Sequence, residues 1–202
     1  MSILDMPKML AALEDAGLRA AAATGPEEAI SAITATYYRL LGDRDAHQRP
    51  DALKPEERQF MVAGAFFITT DRQHHMLVGN VNFPPEQRRL MVPIDGGHPG
   101  WVYANRSKLI LKNTDNHGDF KQYLKSARMG SAIFCPLIWK GEFLGQIIMA
   151  AQARYTMRDE DLAGLASFAG LACAAWIAHG GPDWLKQNDT PPDSLYIAKQ
   201  GL

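Results

Sequence analysis

The sequence predicts an α+β domain: a central, largely antiparallel sheet of about five or six strands, with N- and C-terminal helices on one face and a loop and short-helix segment over the other. Three observations carry this. Apolar residues recur at helical spacing over residues 5–45 and again over 159–179. Between those stretches lie short β-prone runs, two pairs of which read as hairpins. The stretch 94–130 is long, glycine-punctuated and weakly regular, so it has to pack on the sheet face that the helices leave open.

Residues 5–23 are rich in Ala and Leu, and Met6, Met9, Leu13 and Gly17 are spaced to share one helical face. Gly25-Pro26 then starts a second helix, with Pro26 suited to the first turn, Glu27 and Glu28 complementing the dipole, and Ile30, Ile33, Tyr37, Leu40 and Leu41 inward. Residues 42–58 are polar and broken by Pro50 and Pro55, which makes a loop with one helical turn. Ala65–Thr70 and Met76–Asn82 form a hairpin around Asp71–His74, and Arg89–Pro93 is a third strand. Three glycines and Pro99 make a turn before a short helix that begins at Trp101–Ala104. Leu109–Leu111 is a brief strand, followed by the polar loop Asn113–Gly118. Asp119 then caps a helix that turns Phe120, Tyr123, Leu124 and Ala127 inward. Ser131–Trp139 and Glu142–Ala153 pair through the two-residue turn Lys140-Gly141. Thr156-Met157-Arg158-Asp159 resembles a capping box for a last helix that stops at Gly180-Gly181-Pro182. From Asp183 the chain reads as an extended tail, pinned by Trp184, Leu185, Leu195 and Tyr196. The division is therefore an N-terminal helical extension at 1–27, one domain at 28–180 and a tail at 181–202.

Composition narrows the function. The chain has 202 residues, long enough to bury a core without a disulfide or metal staple. Lys plus Arg number 21 against 22 Asp plus Glu, with no run of five like charges, which argues against a nucleic-acid partner. The two cysteines, Cys135 and Cys173, sit in apolar runs and form neither a metal motif nor a disulfide framework. The N-terminus lacks the order of a secretory signal. The apolar stretch Leu162–Ala178 is broken by Gly164, Ser167 and Gly170, so it reads as a core helix and not as a membrane span. These readings place the protein in the cytoplasm and give it no membrane partner.

Four segments then resemble one family. Val92-Pro93-Ile94-Asp95-Gly96-Gly97-His98-Pro99-Gly100-Trp101-Val102 leads to Lys108–Thr114, and Ala127–Leu137 to the hairpin Trp139–Ile147. With a closing helix over Asp159–Trp176, their order and spacing resemble GAF domains across about residues 28–180. The resemblance implies a small-molecule cavity between sheet and loop, a role in intracellular signalling and, often, a homodimer. No metal is expected, because no i, i+4 histidine pair on a helix and no carboxylate pair supports one, and the resemblance leaves the cofactor unidentified. No output segment fits in the rest of the chain, so signalling would pass to a signalling protein partner.

The pocket residues expected on this reading come from the loop and the strand beneath it. They are His98 and Trp101 at the glycine turn, Asn113, Asp115 and His117 in the polar loop, Arg128, and Ser131, Ile133 and Cys135, which alternate on one strand face. Arg128 suits an anion, although a solvated cation at a helix end is the more ordinary role. His98, Asp115 and His117 also read as polar loop residues that satisfy turn amides. Trp101 and Trp139 suit packing, and His74-His75 reads as exposed beside its turn. Two alternatives to a sensor stand: a ligand-free interaction module built on the terminal helices, and an enzyme. Some members of the family reduce free methionine sulfoxide with cysteines grouped at the pocket. Here the two cysteines fall in a strand and in the last helix, and loop cysteines are missing.

Overall fold

A computed structural model describes residues 5–118 and 128–189. Helix α1 (Met6–Ala22) opens with the Asp5 carboxylate accepting from the Lys8 amide. It buries Met9, Ala16 and Ala20, while Met6 is 61% exposed. The expected stripe holds at Met9 and at Leu13, which packs against the core, while Met6 at the start of the helix stays outside it. Helix α2 (Pro26–Leu40) buries Ala29, Ile30, Ile33 and Tyr37, and the Tyr37 hydroxyl donates to Gly64 O at 2.9 Å.

The strands are β1 (Met61–Ile68), β2 (His74–Val81), β3 (Met91–Pro93), β4 (Leu109–Leu111), β5 (Ser131–Trp139) and β6 (Glu142–Ala151). They form one sheet in the order β3-β2-β1-β6-β5-β4, with every neighbouring pair antiparallel. Lys140 and Gly141, both at positive φ, make the β5–β6 turn. Alternation then sorts the side chains. Ala63, Phe67, Ile133, Leu137, Ile147 and Met149 join a layer with α1, α2 and the last long helix. Val62, Phe66, Leu77, Phe134, Ile148 and Ala150 form a second layer on the opposite face.

Helix α3 (Gly97–Asn105) lies over this second layer and starts four residues earlier than Trp101. Helix α4 (Asp159–Ala178) is long and apolar enough to cross a membrane, yet Leu165, Phe168, Ala172 and Trp176 are buried in the first layer. Trp176 stacks on Phe67 with ring centroids 3.7 Å apart and planes at 15°. The start of α4 is held by Asp161, which accepts from the Arg158 and Gly42 amides at 2.9 and 2.8 Å. The Thr156 hydroxyl instead donates to Ala153 O, so the expected capping box does not form there. Residues Gly181–Asn188 form helix α5, which corrects the reading of an extended tail from 181. Left-handed Gly180 ends α4, Pro182 fits the first turn of the next helix, and Leu185 is buried. The helix expected from Asp119 to Ala127, and the anchors Leu195 and Tyr196, lie outside the described residues.

Gly145 marks the tightest approach at the sheet centre, where a Cβ would stand 2.0 Å from Phe66 O. Both atoms are backbone, so neither strand can yield cheaply. Gly145→Ala is expected to cost about 3 kcal/mol and to lower the thermal midpoint by about 6–12 °C. A midpoint unchanged in calorimetry would show that β1 and β6 do not approach this closely.

Candidate functional site

The face under α3 is apolar except at its centre, where two fully buried polar side chains meet. His75 comes from β2 and Gln146 from β6, each with 0% exposure. His75 Nε2 lies 3.0 Å from Ile94 O, so that nitrogen carries the proton and donates. Nδ1 then accepts from Gln146 Nε2 at 3.3 Å, and the same amide nitrogen donates to Pro99 O at 3.2 Å. These contacts tie the first turn of α3 and the chain before it to the sheet. Gly100 permits the fit, since a Cβ there would stand 2.2 Å from Asp95 C. Tyr103 and Phe143 present ring edges to the imidazole. Gln146 Oε1 is buried with no hydrogen-bond partner among the described residues. A buried acceptor left in this state is uncommon. Burial pushes the His75 pKa down from 6.5 to about 4, so the ring is neutral near pH 7.

The expected pocket residues divide into three groups. His98 and His117 come together, with ring centroids 6.0 Å apart and nearly perpendicular, and His98 lies against Phe134. Asn113, Asp115 and Arg128 are neighbours, but within the chain's own framework. Asn113 accepts from the Asp115 amide and starts the turn Thr114–Asn116. The Asp115 carboxylate meets Lys54, Arg128 and Arg154 at 2.8, 3.2 and 3.0 Å. Lys54 first, then Arg154, lower its pKa. Trp101 points outward and is 44% exposed, which removes it from the floor.

The third group needs correction. Ser131, Ile133 and Cys135 share a strand face, but it is the face toward the helices. Ile133 and Cys135 sit in the helix-side layer, and Ser131 Oγ accepts from the Met157 amide at 3.1 Å. The face under α3 takes the opposite parity, Ala132 and Phe134. Choosing parity on β5 required knowing which face the helices cover. His75 also departs from expectation, since it is buried while His74 is only half-buried. One signal for Gln146 was present in the sequence: it is the lone polar residue in the apolar run Phe143–Ala151, in step with Ile148.

At one end of the sheet the buried Arg154 binds both Glu57 and Asp115. Burial would depress its pKa, and the two carboxylates more than reverse that. Its amide donates to Ala52 O at 2.8 Å, so one residue joins the loops at 52–57 and 113–116. Among the described residues no group of three His, Cys, Asp or Glu is placed to hold a metal.

His75 makes stability depend on pH in a defined window. Its folded pKa is depressed, so unfolding takes up a proton below pH 6.5, and stability falls as pH drops toward about 4. The full loss is about 3 kcal/mol. Denaturant titrations at pH 7 and pH 4.5 should show this loss in the wild type and a smaller one in His75→Phe. An equal loss in both proteins would assign the effect to other groups.

The GAF domain model matches residues 27–176. No curated protein matches the chain in sequence. Among solved structures, the GAF domain of a phosphoenolpyruvate-protein phosphotransferase from Coxiella burnetii is similar, with TM-score 0.70 and 19% identity, over 89% of this chain and 98% of that one. A free methionine-R-sulfoxide reductase from Neisseria meningitidis, in complex with its substrate, aligns with TM-score 0.67 and 15% identity over 90% and 96%. A GAF sensor protein from Burkholderia vietnamiensis aligns with TM-score 0.62 and 15% identity over 91% and 98%. At these identities the likeness speaks for the fold alone. With the family model spanning most of its length, the chain belongs to the GAF domain family.

Proposed function

We propose that this protein is a small-molecule-binding regulatory module, working in the cytoplasm, that passes its state to a partner protein instead of catalysing a reaction. The observation that carries the reading is Gln146 Oε1, buried on the sheet face beneath α3 with no hydrogen-bond partner among the described residues. A ligand with a neutral N–H or O–H would complete that acceptor, and no charged partner is required because His75 stays neutral. Gln146 and His75 both hold the segment 94–99, so occupancy would bear directly on how α3 is seated. That coupling supports a sensor more than a passive scaffold.

A second reading follows from the methionine sulfoxide reductases among the similar folds. Reduction of a sulfoxide needs a thiolate near the substrate and normally a resolving thiol. Cys135 and Cys173 are both buried in the layer on the helix side of the sheet. Burial pushes each thiol up to about 11, so neither is ionised near pH 7. This weighs against the enzyme.

Two measurements separate the readings. In a thermal-shift series of nucleotides, nucleobases, amino acids and small anions, a true ligand at 100 times its Kd should add about 2.7 kcal/mol, or about 5–10 °C. Gln146→Leu should abolish that shift while keeping the fold. If no compound in the series moves the midpoint, the sensor reading fails. For the enzyme, purified protein with dithiothreitol and free methionine sulfoxide should form no methionine. Turnover that disappears in Cys135→Ser would instead establish the reductase and remove the sensor as the primary role.

A further inference from the structure

The outer face of α4 lacks what a solvent-facing helix normally carries. From Leu162 to Ala178 there is no Asp, Glu, Lys or Arg, although Ala163, Ser167, Gly170, Ala174 and Ala178 are all exposed. The exposed faces of α1 and α2 follow the ordinary pattern, with Glu14, Asp15 and Arg19 on one and Glu28 and Arg39 on the other. A helix that is apolar all round belongs in an interior, and the described residues cover one side of this one.

Gly170 adds a second, independent sign. Glycine weakens a helix interior, so it is retained there when something has to come close. At Gly145 that neighbour is the backbone of β1. A Cβ built at Gly170, by contrast, meets no described atom within 4 Å. The close approach that Gly170 permits is therefore from outside the described chain.

Three features identify the occupant as a second copy of this chain. The stripe is symmetric about Gly170: Ser167 and Ala174 lie three and four residues away, Ala163 and Ala178 seven and eight, which is one and two turns in each direction. Such a stripe fits an antiparallel copy of itself across a two-fold axis, small residue against small residue. The surface also continues onto α1. Gly17 faces α4, where its Cβ would stand 3.9 Å from Leu171 Cδ1. Leu10 and Met6 lie on that same side of α1, and each is 61% exposed. Finally, the area suffices. The two helices present a patch about 25 Å long and about 20 Å wide. Two such patches bury about 1,000 Å² together, which meets the lower bound for a specific interface.

We propose that two copies of the chain associate through the outer faces of α4 and α1, antiparallel about a two-fold axis at Gly170. This surface lies on the helix side of the sheet, away from Gln146, so pairing does not compete with occupancy of the site beneath α3.

The test is light scattering on the full chain at about 100 µM, above the micromolar Kd expected of an interface this small. The wild type should run at twice the chain mass of 22.3 kDa, and Gly170→Glu at that mass once. Leu10→Glu, on an exposed position of α1, should pair at least about tenfold more weakly, and it serves if Gly170→Glu does not fold. Trp101→Ala removes an exposed side chain from α3 and should stay paired. With oxidised glutathione, Gly170→Cys should cross-link, because the axis brings its two thiols together, whereas Ala163→Cys places them about 20 Å apart and should not. A monomer at this concentration overturns the proposal, as does a pair that survives both acidic variants or cross-links through Ala163→Cys. A monomer that sediments with phosphatidylcholine vesicles would assign the face to lipid, with the same result. Gln146→Leu should pair as the wild type does, which separates failure here from failure of the sensor reading.

Discussion

Everything in this domain depends on the burial of β1 and β6 from both sides. All eight residues of β1 are buried, and from Gly145 onward so are those of β6. A strand in that position must satisfy two apolar layers at once, and its alternation decides which residue serves which layer. One parity locks onto α2 and α4 through Tyr37, Phe67 and Trp176. The other lies beneath α3 and is apolar apart from His75 and Gln146. Under α3 the backbone of residues 94–99 supplies the acceptors.

The fold was legible because its signals are local. Pro26 with Glu27 and Glu28 marks the start of α2, and Lys140-Gly141 marks the turn that registers β5 on β6. The helix-period spacing of Ile30, Ile33 and Tyr37 named the correct inward face. The box that starts α4 is local but lies two residues beyond the one read at Thr156: Asp161 accepts from the Arg158 amide, and also from Gly42, 119 residues away.

The cover over the open sheet face was legible in the sequence; the residues beneath it were not. The glycine-punctuated stretch does carry α3 across the open face, and His98 and His117 do meet. Polar loop residues served the chain itself: Asn113 builds a turn, and Asp115 neutralises Arg154. Parity on β5 cannot be read from β5 alone, because Ser131-Ala132-Ile133-Phe134-Cys135 contains no polar face to expose. Both central polar groups sat in apolar strands, where a single His or Gln looks like noise until its partners are known.

Arg154 has a consequence for the order in which the molecule forms. Its two carboxylates lie 97 and 39 residues away along the chain, so the guanidinium cannot leave water until β1, β5 and β6 have already paired. Long closures of this kind are late events in folding, since chain entropy opposes them until the sheet exists. The loops at 52–57 and 113–116 then close around one charge together. By the same logic they are among the first parts to open again, and the rim beside His117 should exchange its amide protons sooner than the strands it borders.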